Sequence, residues 1–73
     1  MTSPMLRIEI DREIDGRWIA DVVDLPGVMV YGQSRDEAIR KVEALALRVL
    51  ADRVEEGEEI PSNLVEFAVV SAA

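Results

Sequence analysis

A chain of 73 residues holds one domain, near the lower limit at which a single core sustains a fold without metals or crosslinks, so self-association is expected from size alone. It has no cysteine and no histidine, which excludes disulfides and thiolate metal sites and removes the commonest general base and transition-metal ligand. With 8 Lys and Arg against 15 Asp and Glu the formal charge is −7, which repels nucleic-acid phosphates and steers basic proteins toward the chain, although acidity also serves solubility alone.

Leu6, Ile8 and Ile10 alternate with Arg7, Glu9 and Asp11, the period of two of a half-buried strand. Glu13-Ile14-Asp15-Gly16 supplies a hairpin turn with Asp-Gly at its tip. The next strand follows, with Trp18, Ala20 and Val22 on one face and Ile19, Asp21 and Val23 on the other. Pro26 presets φ for a turn and Gly27 tolerates positive φ at the next position, so Asp24-Leu25-Pro26-Gly27-Val28 predicts a type II reversal. A short third strand, Val28 to Tyr31, ends at Gly32, which completes a meander. Ser34-Arg35-Asp36-Glu37 is a capping box, with the Ser34 hydroxyl serving the helix start and Glu37 reaching back to the cap's own N–H.

From Arg35 to about Glu55 one helix is expected. Its apolar residues Ala38, Ile39, Val42, Leu45, Ala46, Val49 and Leu50 fall within an arc of roughly 140°, a stripe wide enough to cover a sheet. Leu47 and Val54 project beside that stripe. Gly57 suits a left-handed cap, Pro61 prevents resumption, and the acidic residues at this end oppose the dipole and predict fraying. Leu64 to Val70 alternates again as a fourth strand, apolar on both faces. The fold class is α+β, in the order β-β-β-α-β, an antiparallel sheet with one long helix packed on one face. Residues 1–73 form a single domain with a core of about 5–70 and loose ends at the first four residues and Ser71-Ala72-Ala73. No stretch approaches the ~20 apolar residues that cross a bilayer, and the N-terminal residues show no basic segment followed by an apolar run, so a soluble cytoplasmic protein is expected.

The succession of Trp18-Ile19-Ala20-Asp21, Leu25-Pro26-Gly27, Gly32-Gln33-Ser34 and Glu37-Ala38 resembles the N-terminal domain of the HicB family, antitoxins of bacterial and archaeal toxin-antitoxin pairs. The likeness runs from about Leu6 to Pro61. It departs from the family at Val28, where Cys is usual, and at Ser34, where Thr is usual; both replacements keep the local physics. The resemblance implies a reduced RNase H-like fold without catalytic activity. It also implies a small basic partner, a HicA-like mRNA-cleaving toxin whose catalytic surface the domain masks. Family members often carry a C-terminal DNA-binding domain, and none is expected after the fourth strand.

Active RNase H-like nucleases hold Mg²⁺ with clustered carboxylates. Here Asp21, Asp24, Asp36 and Glu37 are the carboxylates near the relevant turn. Asp36 and Glu37 are better explained by the helix start, so no metal site and no cofactor is expected, and a metal-dependent nuclease is the last of the readings. Trp18 reads as a core residue beneath the helix. Tyr31 reads either as packing or as an exposed anchor. Asp21, Asp24 and Tyr31 are the candidate partner-binding residues, the carboxylates meeting Lys and Arg of a basic protein. The helix basic residues Arg35, Arg40, Lys41, Arg48 and Arg53 read as a solvated face. Ile19, Val23, Leu47 and Val54 are candidates for contact in a homo-oligomer, by sheet stacking or edge pairing. The competing reading is a stand-alone oligomeric domain that binds another protein or a ligand.

Overall fold

The alternating segment at the start forms strand β1 (Met5–Arg12) in the computed structural model, which describes residues 5–58 and 66–71. Leu6, Ile8 and Ile10 are buried while Arg7, Glu9 and Asp11 are exposed. At Asp15-Gly16 the chain reverses through Gly16 at φ 93°, and the Glu13 N–H donates to the Arg17 carbonyl at 2.7 Å. Strand β2 (Trp18–Val22) then pairs antiparallel with β1, setting Ile8 opposite Val22 and Ile10 opposite Ala20 on the buried side. Trp18 is half-buried and packs against that core, as its composition suggested.

The Pro-Gly segment makes the expected turn. Gly27 has φ 89° and the Val28 N–H donates to the Leu25 carbonyl at 3.1 Å, the geometry that requires glycine at the third turn position. Leu25 and Val28 are both buried, so the turn is pinned to the core by the apolar residues on either side of its exposed tip. Strand β3 (Met29–Gly32) leaves antiparallel to β2. Gly32 ends the strand as expected, but the reason is space rather than φ: a Cβ there would stand 2.6 Å from the Ala38 backbone nitrogen.

Helix α1 (Arg35–Glu55) starts at Ser34, whose Oγ accepts from the Glu37 N–H at 3.1 Å. Glu37 reaches back one residue further than a capping box requires. Its Oε1 accepts from the Gln33 N–H at 2.6 Å instead of from that of Ser34, because the chain enters the helix with the Gln33 amide aimed at the first turn. That bond, with Lys41 at 3.6 Å, holds the Glu37 carboxyl below its ordinary range. Ala38, Val42, Ala46 and Leu50 are buried, and Ile39, Leu45 and Val49 pack beside them. At the other end Gly57 has φ 81°. Its N–H donates to the Val54 carbonyl at 3.1 Å and that of Glu58 to Arg53 at 2.8 Å, a Schellman closure. The helix end expected to fray is thus regularly capped.

Strand β4 (Glu66–Ser71) lies against β1, giving the order β3-β2-β1-β4. It runs parallel to β1, with Ile8 beside Val69 and Glu9 beside Val70, so the sheet is mixed where an antiparallel one was expected. A helical crossover returns the chain to the end at which the preceding strand began, and strands so joined run parallel. Because β3 already parallels β1 through the two antiparallel pairings, β4 does too. Ser71, expected at a loose end, is strand. Pro61, Leu64 and Val65 lie outside the described residues, as do the loose ends expected at 1–4 and 72–73. Helix α1 packs chiefly on β3 and β2 and reaches β1. Among the described residues no helix is long and apolar enough to cross a membrane.

Candidate protein-binding face

One face of the sheet carries the helix; among the described residues the opposite face carries none. The strand registers place its residues in rows. Glu9 stands directly opposite Asp21, with Met29 beyond Asp21 and Val70 beyond Glu9; Asp11 stands opposite Ile19, with Tyr31 beyond it. One row therefore has its two carboxylates between apolar Met29 and Val70, and the next ends on Asp11 beyond Ile19. Met29 is 51% exposed, and Val23, Tyr31 and Val70 are 40% exposed each. Isolated apolar residues on a surface are ordinary; Met29 and Tyr31 are neighbours along β3 with Ile19 opposite Tyr31, whereas Val70 lies across the sheet beyond Glu9.

Like charges directly across antiparallel strands destabilise the pairing. Glu9 and Asp21 are such a pair, and among the described residues neither has a cationic partner. The ion pairs found are Arg7–Asp24 at 3.2 Å, Arg17–Asp15 at 2.8 Å and Lys41–Glu37 at 3.6 Å. The two opposed carboxylates would be relieved by a cation brought from outside. Glu9 is the residue that sequence reasoning passed over, although the Asp15-Gly16 turn sets the register that puts it opposite Asp21.

The predicted site residues divide. Asp21 and Tyr31 share the open face. Asp24 follows β2 and is committed to the fold: its Oδ2 accepts from the Arg7 N–H at 2.8 Å and its Oδ1 from the Arg7 guanidinium at 3.2 Å. Those bonds, the backbone one first, hold its carboxyl below the ordinary value. Asp24 thereby substitutes for a strand carbonyl where the β1–β2 ladder gives way to the turn. Tyr31 is neither a buried packing residue nor a free anchor. Arg17 lies over its ring at 4.4 Å and its hydroxyl donates a long bond to Glu13 Oε1 at 3.4 Å, so the exposed ring already has partners within its own subunit.

The residues expected to join subunits also fall on different surfaces. Ile19 belongs to the open face and exposed Val23 follows it, whereas Leu47 and Val54, 52% and 54% exposed, lie on the solvent side of α1. No single contact uses all of them. At the hairpin tip Glu13, Ile14, Asp15 and Arg17 line a shallow depression of about 340 Å³ that opens widely to solvent. Among the described residues no three acidic side chains converge on a position that would hold a metal ion. The chain matches no family model, no curated protein and no solved structure.

Proposed function

We propose that this chain is a HicB-like, antitoxin-type binding module, without catalytic activity of its own, that neutralises a small basic HicA-like toxin in the cytoplasm. The observation that carries the reading is the unneutralised Glu9–Asp21 pair bordered by exposed Met29 and by Tyr31. Opposed carboxylates weaken a sheet on its own and become favourable when a Lys or Arg bridges them. Apolar neighbours at the margin supply the desolvated contact in which such a charge gains strength. The net charge of −7 adds long-range attraction for a basic protein.

The test is capture from lysate of the natural source with the tagged full chain, compared with Asp21→Lys and Met29→Ala, at low and moderate salt with mass spectrometric identification. A small basic protein held by the parent chain, released by salt and absent from Asp21→Lys supports the reading. Capture that survives Asp21→Lys, or a bound protein that is not basic, overturns it in favour of a stand-alone domain serving another partner.

A further inference from the structure

Strand β4 has the composition of an interior strand and the position of an edge. From Phe67 to Ser71 it carries no charge. Edge strands are ordinarily protected by charged residues, proline or a covering element. Val69 lies in register with Ile8, which is 0% exposed, yet Val69 itself is 40% exposed, because α1 packs on β3, β2 and β1. Val70, on the other face, is also 40% exposed. Among the described residues nothing continues the sheet beyond β4, so one row of backbone N–H and C=O groups and two valine faces are open together.

We propose that β4 pairs antiparallel with β4 of a second copy about a twofold axis beside Val69, the middle of the uncharged stretch, continuing the sheet from one subunit into the other. Val69 then meets Val69 of the partner subunit on the helix side, and Ala68 meets Val70 of the partner subunit on the open side. Charge selects this mode over stacking of two open faces. Stacked sheets lie ~10 Å apart and would set Glu9, Asp11 and Asp21 against the same residues of the other copy. Edge pairing separates the two Glu9 strands by three strand spacings, ~14 Å, beyond the ~8 Å screening length at physiological salt. The outer edge of β4 offers a basic partner no carboxylate of its own between Phe67 and Ser71, although Val70 borders the acidic face beside Glu9. The twofold leaves both helices on one side and both open faces on the other, so the dimer presents two acidic faces side by side. A six-residue strand offers only ~20 Å of edge, so the interface falls below the ~800 Å² per partner of standard complexes and holds at about micromolar strength.

The test is sedimentation velocity of the full chain from about 0.1 to about 100 µM, a range that brackets such an affinity. The expected result is a monomer–dimer equilibrium, abolished by Val70→Lys with the circular dichroism spectrum unchanged and left intact by Leu47→Lys and Met29→Lys. Because the chain has no cysteine, Val69→Cys adds its only thiol. Opposed residues in an antiparallel pair stand ~4.5–5.5 Å apart, within disulfide reach, so mild oxidation is expected to yield a covalent dimer, while Leu47→Cys yields none. This second measurement decides the matter if the lysine variant unfolds. A monomer throughout the range, a dimer dissolved by Leu47→Lys or Met29→Lys but not by Val70→Lys, or failure of Val69→Cys to crosslink overturns the proposal. None of these outcomes depends on the basic partner.

Discussion

The two edges of this sheet are finished differently. At β3, four residues long, α1 presses close enough that only glycine fits at position 32 against Ala38. At β4, six residues long, a valine beside the fully buried Ile8 is 40% exposed. What separates them is the path of the crossover helix, not the hydrophobicity of the strands. One helix is about 10 Å wide and strands are spaced at ~4.8 Å, so it covers two strands well and a third at its margin. Among the described residues nothing covers the exposed valines of the fourth strand. A pattern of buried and exposed residues therefore reports where the helix runs, and the apolar strand outside its reach is where the proposed pairing of two copies is placed.

The sharpest way to break this comparison is to truncate the two neighbours in register. Ile8→Ala removes a fully buried side chain and is expected to lower stability by about 3–4 kcal/mol, a large part of the ~5 kcal/mol available to a domain of this size. Val69→Ala, measured in dilute solution by urea unfolding, is expected to lower it by less than about 1 kcal/mol. Equal losses would mean that β4 is as buried as β1. At β3, Gly32→Ala drives a Cβ into the Ala38 backbone and is expected to destabilise by about 2–3 kcal/mol, since neither backbone yields cheaply. A loss below about 0.5 kcal/mol in the same assay would mean that α1 does not sit tightly on β3.

Acid should loosen the structure through carboxylates that the fold itself uses. Asp24 is held below its ordinary 3.8 by the Arg7 backbone N–H and guanidinium, and Glu37 below 4.5 by the Gln33 N–H and Lys41. A depressed folded value means that each group binds protons less readily folded than unfolded. Its contribution is complete above the unfolded value and is lost as pH falls through the folded one. Stability is therefore expected to hold near neutrality and decline below about pH 4. Urea titrations from pH 7 to acid should show a shallower decline in Asp24→Asn, which starts from a lower stability at neutral pH and converges on the parent at acid pH. The smallest expected effect has the opposite sign. Asp21→Asn relieves the repulsion across from Glu9 and should raise stability by about 0.5 kcal/mol while weakening capture of a basic partner.

Local physics made most of the fold legible in the chain. The helix bounds, the buried stripe from Ala38 to Leu50, the Gly27 turn and the Gly57 cap all rest on periodicity or on the conformational freedom of one residue, and these act within a few positions. Other features depend on residues far apart in sequence and were not legible. The parallel docking of β4 on β1, the bond from the Arg7 backbone to Asp24 seventeen positions on, and the closeness of Gly32 to Ala38 follow from how elements meet. The candidate face falls between these cases. Asp21 and Tyr31 were readable from strand alternation, and Glu9 needed only the hairpin register to be added. Asp24, equally acidic and equally near the turn, turned out to hold the turn to β1, a role that composition does not distinguish from partner binding.

The account rests on a helix that packs against β3 and leaves β4, at the other side of the sheet, beyond its reach. Amide hydrogen exchange at two protein concentrations tests this directly. The outward amides of β4 should exchange freely in dilute solution and slow by about tenfold or more when the protein is concentrated, while those of β3 exchange at a rate independent of concentration. If β4 amides are as slow in dilute solution as those of β1, or indifferent to concentration, the open edge does not exist.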